Sequence, residues 1–233
     1  RFVACHEVGH SLGLRHNMMA SAAYPTDSLR SESFTTRVGG TSASIMDYAR
    51  FNYVAQPGDN VKVMSPNIGV YDLMAIEWGY RWYPQSTNED EVLSAFLEKH
   101  KGKEYRYSEA QPQRAAVDPR ALSEDLGDDP VKSARLGIEN LKRVMPNLVE
   151  WTKNDKPGQN YDEAAGLYSA IIFQWSLYHY HVMANIGGIY MERPDIEWQN
   201  DPAKKAYIFV EKERQKEAVQ FLLDEELCFP EWL

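Results

Sequence analysis

Apolar and aromatic positions at the start of the chain recur at helical spacing, with Phe2, Val3, His6, His10 and Leu14 one to four residues apart. The pattern predicts a helix to about Leu14, with Gly13 allowing a sharp exit. Residues 20 to 43 lose this periodicity and fill with Ser, Thr, Ala, Gly and Pro, and 52 to 66 is punctuated by Pro57-Gly58-Asp59-Asn60, so both read as loop. A short helix is expected from Val70, stopped at Gly79. Turn residues at Pro84 to Asn88 mark a boundary, and Asn88 opens a helix through Lys99 on Val92, Leu93, Phe96 and Leu97. Alternation over Lys103 to Ala110 predicts a short strand, and 118 to 130 a polar loop. Asp129-Pro130 begins a helix carrying Val131, Ala134, Ile138, Leu141, Met145 and Leu148. A longer one is expected from Tyr161 to Asn185, ended by Gly187-Gly188, with Ile189 to Arg193 a strand or extended turn. Asp201-Pro202 then opens a last helix through Ala206, Val210, Ala218 and Phe221 to near Glu226. There is no internal repeat. The expected fold class is mainly α, with residues 1 to 84 as one region and 85 to 233 as a helical bundle.

Composition supports two regions. The 233 residues are 43% apolar and 12% aromatic, enough for one sizeable core or two smaller ones. Residues 1 to 84 hold seven Lys or Arg and seven Asp or Glu, so the whole net charge of -9 falls on 85 to 233. An acidic excess argues against a nucleic-acid partner, which requires a basic face. Even the most apolar stretch, Ala164 to Ile186, is interrupted by Gln174, Ser176, His179, His181 and Asn185, and predicts no membrane span. Two cysteines at opposite ends, Cys5 and Cys228, make neither a disulfide scaffold nor a cysteine-ligated zinc module. The chain opens inside a helix with no leader pattern, so the expectation is a piece of a longer polypeptide whose targeting signal lies upstream.

The chemistry concentrates in His6-Glu7-Val8-Gly9-His10-Ser11-Leu12-Gly13-Leu14-Arg15-His16. Residues four apart share a helix face, so His6 and His10 can aim ring nitrogens at one point. Catalytic zinc takes three protein ligands and a water, with imidazole nitrogens at about 2.0–2.1 Å. A continuing helix would rotate His16 away, and Gly13 supplies the break that returns it beneath the metal. Glu7, about 100° around the helix from His6, is placed to take a proton from zinc-bound water and pass it to a leaving amine. A bare His-Glu-x-x-His is weak, but adding Gly13 and His16 brings chance occurrence to on the order of one in 10⁵ for a chain this long. Histidines satisfied on a core helix have no need of this spacing. A structural zinc site would usually close its shell with cysteine and have no use for the adjacent glutamate.

With Ser44-Ile45-Met46-Asp47-Tyr48 downstream, the segment resembles the metzincin clan of zinc endopeptidases, which join this long histidine motif to a Met-turn. The resemblance implies Zn²⁺ held by His6, His10 and His16, Glu7 as general base and acid, and Met46 as an apolar floor beneath the histidines. In astacin-like and serralysin-like branches a tyrosine two residues past the methionine ligates zinc or stabilises the oxyanion. Tyr48 stands there, as a metal ligand, as a catalytic oxyanion donor, or as a packed loop tyrosine. Tyr71 to Tyr80 looks like the helix that follows the Met-turn in serralysin-like enzymes. The resemblance covers about residues 1 to 84 and implies the lower catalytic subdomain of a zincin-like fold. The remainder looks like the helical C-terminal extension of large bacterial metzincin-like proteins, typically exported to periplasm, cell surface or medium. Asn17 follows His16, where the best-known branches carry other residues. The upper subdomain, whose edge strand pairs with substrate, is expected upstream in the same polypeptide, and this chain alone is expected to be weakly active or inactive.

The expected function is therefore hydrolysis of peptide or protein substrates by zinc-activated water. The alternative is a non-catalytic protein-binding or structural module that retains the zinc motif. Glu32 lies far enough past His10 to serve another zincin branch as third ligand, though His16 has the better-defined spacing. His179 and His181, two apart, face different ways on their helix and read as packing or surface residues. Cys5 sits off the metal-facing side. The acidic run Glu124 to Asp129 lacks the alternating pattern of calcium loops, and Asp129 suits helix capping.

Overall fold

The computed structural model describes residues 1–49, 51–85, 87–112, 115–154, 157–192, 205–227 and 230–233. The described residues are mainly helical, with one two-stranded sheet among them. The chain packs as two compact units, Arg1–Gln113 with Arg120–Asp129, and Arg114–Pro119 with Pro130–Leu233. The division by packing thus falls later than the turn residues at Pro84 to Asn88. Residues in 85 to 113 and 120 to 129 pack with the histidine segment rather than with the C-terminal helices.

The first unit is built around loops as much as helices. Helix α1, Phe2–Ser11, ends in a Schellman motif: Leu14 N–H donates to Gly9 O (3.0 Å) and Gly13 N–H to His10 O (2.9 Å). Gly13 sits at φ 84°, the left-handed conformation that closes this cap and that a β-carbon disfavours. Residues 20 to 43 are not all loop. Helix α2, Glu32–Val38, is capped by Ser31, whose Oγ accepts from Phe34 N–H, and ends at left-handed Gly39. Helix α3, Val70–Tyr80, starts with Asp72 accepting the Gly69 N–H at 2.7 Å. Helix α4 spans Glu89–Glu98. The strand expected over Lys103 to Ala110 is replaced by a 3₁₀ turn at Lys103–Tyr105 and irregular chain, whose backbone groups bond to the segment after His16. The core gathers around the 43–49 loop: Met18, Leu29, Ala43, Met46, Val54 and Ala121 are wholly buried. Loop 52–66 is closed by Asn52 N–H on Met64 O and by a two-point ion pair of Arg30 with Asp59, at 2.8 and 2.9 Å.

The second unit is a small helical assembly. Helix α5, Pro130–Val144, α6, Leu148–Thr152, and α8, Lys212–Leu222, each pack against α7, Asp162–Met183. Val131, Ala134, Ile138, Tyr178, Val182, Ala218 and Phe221 form its buried interior. Strand β1, Ile189–Met191, pairs antiparallel with β2, Tyr207–Phe209, with Tyr190 opposite Ile208. The expected last helix is therefore shorter. Its start at Asp201-Pro202 lies outside the described residues, and Tyr207–Phe209, β-prone residues with a partner strand, are extended rather than helical. His179 packs between Trp175 and Phe221 and donates from Nδ1 to Trp175 O, so it serves the core. Cys228 lies outside the described residues. No described helix is long and apolar enough to cross a membrane.

Candidate metal centre

Three histidines converge. Candidate ligand atoms of His6, His10 and His16 all lie within 4.8 Å of one another, and among the described residues they form the one such His/Cys/Asp/Glu group. His6 is buried; His10 and His16 are half-buried. His6 Nδ1 donates to Ile45 O at 2.8 Å and His10 Nδ1 donates to Leu14 O at 2.9 Å. A carbonyl can only accept, so each Nδ1 carries the proton and each Nε2 presents a lone pair to the shared space. His10 Nε2 and His16 Nε2 are 3.1 Å apart. Two nitrogens on one tetrahedral zinc, each at about 2.0–2.1 Å, lie about 3.3 Å apart, so the spacing is that of neighbouring ligands. The pKa of His16 is lowered, first by burial and then by repulsion from His10 and His6, with the Glu7 charge acting the other way. The site thus favours the neutral imidazole a cation needs. Donor type, tautomers and spacing all fit zinc.

The Met-turn closes the floor. A β-carbon at Gly9 would run into Met46 Sδ, so the glycine between the two helical histidines is what lets the thioether pack against this turn of α1. The Tyr48 ring stacks on His6 (centroids 5.4 Å apart, 25° between planes), its centroid lies 4.6 Å from that of His16, and the residue packs on the cluster of Met18, Met19 and Ala121. Glu7 is exposed on α1, beside buried His6. Of the other candidates, Glu32 opens α2 and pairs with Lys62, outside the histidine group. Cys5 is a half-buried free thiol in an apolar cavity of about 370 Å³ with Ala4, Val8, Leu12 and Ile76.

Two buried carboxylates support this floor, and motif reading did not assign either a role. Asp72 accepts from Ser44 Oγ (2.5 Å), Ile45 N–H (2.7 Å) and Gly69 N–H (2.7 Å), tying α3 to the Met-turn. Burial pushes its pKa up, against the pull of those donors. Asp47 accepts from the N–H groups of Ser21 (2.6 Å) and Ala49 (3.1 Å), and Ser21 Oγ donates to Asp125 at 3.0 Å. The acidic run is thereby spent on internal bonds: Asp128 accepts from Thr26 N–H, and Gly127 N–H donates to Ser21 O. Asp125 Oδ2 has no hydrogen-bond partner. Burial raises the pKa of Asp47 from 3.8 to about 7, and burial followed by the Asp47 charge raises that of Asp125.

A carboxyl raised on folding takes up a proton between its two pKa values. The stability it contributes is fully present below the unfolded value of 3.8 and is lost as pH rises through about 7. Asp125→Asn removes one of the two charges. It is expected to gain on the order of 1–2 kcal/mol relative to the unsubstituted chain between pH 5 and pH 8. Urea unfolding of both proteins at the two pH values checks this, and parallel pH slopes would contradict it.

No curated protein matches the chain, and neither does any solved structure. One family does match, over residues 1–233, and it is described as Met-zincin. The match spans the whole chain, in which the ligand atoms of His6, His10 and His16 converge, and the chain belongs to the Met-zincin family.

Proposed function

We propose that this chain carries the lower catalytic subdomain, residues 1 to 84, of a zinc-dependent endopeptidase with a zincin-like fold. The observation that carries the reading is the convergence of three imidazoles, two with Nδ1 tied back to backbone carbonyls, next to a free carboxylate on the same helix. His6, His10 and His16 hold the metal. Zinc there would lower the pKa of a bound water and polarise the scissile carbonyl. Glu7 accepts the proton of the attacking water on its carboxylate and returns it to the amine nitrogen as the C–N bond breaks. Tyr48, held against His6 and His16, presents its phenol as a further ligand or as a hydrogen-bond donor to the oxyanion. Peptides or unfolded proteins are the substrates.

An upstream part of the same polypeptide completes the cleft. The support is exposed apolar surface on α1, on α3 and just before α3, where Val3, Val8, Leu73 and Ile68 are all more than half exposed. The test is metal analysis together with cleavage of one unfolded protein by this chain and by a longer polypeptide that includes the upstream region. One zinc per chain is expected, with greater activity at the longer length, abolished by chelation and restored by zinc. Undiminished cleavage after metal removal, or none at either length, would overturn the reading.

A further inference from the structure

The residue after the third histidine is wholly buried, with both polar atoms of its side chain hydrogen-bonded. Asn17 Nδ2 donates to Arg106 O at 2.9 Å, and its Oδ1 accepts from Ser108 N–H at 3.1 Å and Met19 N–H at 3.4 Å. The orientation of the amide is forced, because turning it over would set oxygen against carbonyl and NH₂ against two N–H donors. Its backbone N–H donates to Met46 O at 3.1 Å, and the next residue, Met18, donates to Ser108 O at 2.9 Å. Three stretches far apart in sequence therefore meet at one residue: the chain leaving His16, the Met-turn through the backbone of Asn17, and residues 106 to 108 through its side chain. Beside this junction Ala121 closes the pocket of Met18 and Met19 against which Tyr48 lies.

We propose that Asn17 is the positioning residue of the metal centre, fixing His16 and the Met-turn in place by locking both to the 106–108 segment. His6 and His10 are held relative to each other by α1 itself. His16 lies past the helix end, and its distance from them is set by whatever fixes the chain on its far side. Asn17 is that fixture: its side chain takes the 106–108 segment while its backbone takes Met46. This rests on the reading of the histidines as zinc ligands and adds to it a specific control point, which residues after position 84 help to form.

The test compares Asn17→Ala with Asn52→Ala in the full chain. Asn52 is a matched control in the same unit: it is buried, donates to Leu29 O (2.8 Å) and accepts from Ala55 N–H (3.2 Å), and its bonds close the 52–66 loop rather than join the histidine segment to the Met-turn. Both variants are measured for urea midpoint without metal and for zinc affinity by competition with a chromogenic chelator. Asn17→Ala is expected to weaken zinc by about 10–100-fold, the range for outer-shell partners of a metal site, while Asn52→Ala shifts the midpoint and leaves zinc affinity within twofold. Asn17→Asp keeps the acceptor for Ser108 but sets a second oxygen against Arg106 O. It should lie between the original chain and the alanine variant, and it serves if Asn17→Ala does not fold. Equal zinc affinities across these proteins, or equal losses for Asn17 and Asn52, would overturn the inference. An unsubstituted chain that binds no zinc would instead overturn the reading beneath it.

Discussion

Glu7→Gln is expected to reduce kcat by about 10²–10⁴-fold on any peptide the polypeptide cleaves, with zinc content unchanged. Glutamine has nearly the same size and can still accept a hydrogen bond from water, but it cannot take the proton. The geometry isolates the effect. Glu7 projects from α1 about 100° from His6, is exposed, and is not among the three residues whose ligand atoms converge. Its charge acts to raise the pKa of His16, against the larger lowering by burial and by His10 and His6. On the proposed mechanism, replacing it removes the base and leaves the ligands. The measurement is kcat beside metal analysis of the same sample. A variant that keeps its zinc and its full rate would remove Glu7 from the chemistry.

Asp72→Ala is expected to cost about 3–5 kcal/mol of stability, among the largest effects of any single change in the first unit. The substitution leaves three buried donors, Ser44 Oγ, Ile45 N–H and Gly69 N–H, without their acceptor. Each buried unsatisfied group costs about 1–3 kcal/mol, and relaxation recovers part of the sum. The damage reaches the metal site through one residue, because Ile45 donates its N–H to Asp72 and lends its carbonyl to His6 Nδ1. Asp72→Asn should lose only about 1 kcal/mol. Its single oxygen can serve the two N–H groups that share Oδ2, and the Ser44 hydroxyl can turn to accept from the amide. Urea unfolding without metal ranks the variants, and an alanine variant within 1 kcal/mol of the original would refute this account of the Met-turn.

The elements that sequence reading found are those whose cause is local. Helices α3, α4 and α7 fall where periodicity and terminal signals place them, while the helix opened at Pro130 ends at Val144, before a 3₁₀ turn at Met145–Asn147 that holds Pro146. Helix α2 escaped because its seven residues barely complete two turns, although Ser31 at one end and Gly39 at the other were signals in plain view. The short strand expected near Lys103 and the early part of the last helix failed for a common reason. Alternation or helical spacing over a few residues is weak, and pairing to a distant segment decides: 106–108 bonds to the chain after His16, and 207–209 pairs with 189–191.

By itself the sequence determined the parts of the candidate metal centre that one helical turn and one glycine can encode: His6 and His10 four apart, Glu7 between them, and Gly13 returning the chain to His16. Only the tertiary structure decided what holds those parts still. Asp72 beneath Ser44 and Ile45, Ser21 between Asp47 and Asp125, and Asn17 between Met46 and Ser108 each join residues many positions apart. Most of the partners in these bonds are backbone N–H and C=O groups, which nearly every residue carries alike. A bond to them leaves no mark on the identity of the residue that supplies it, and its existence is visible only once the chain has folded.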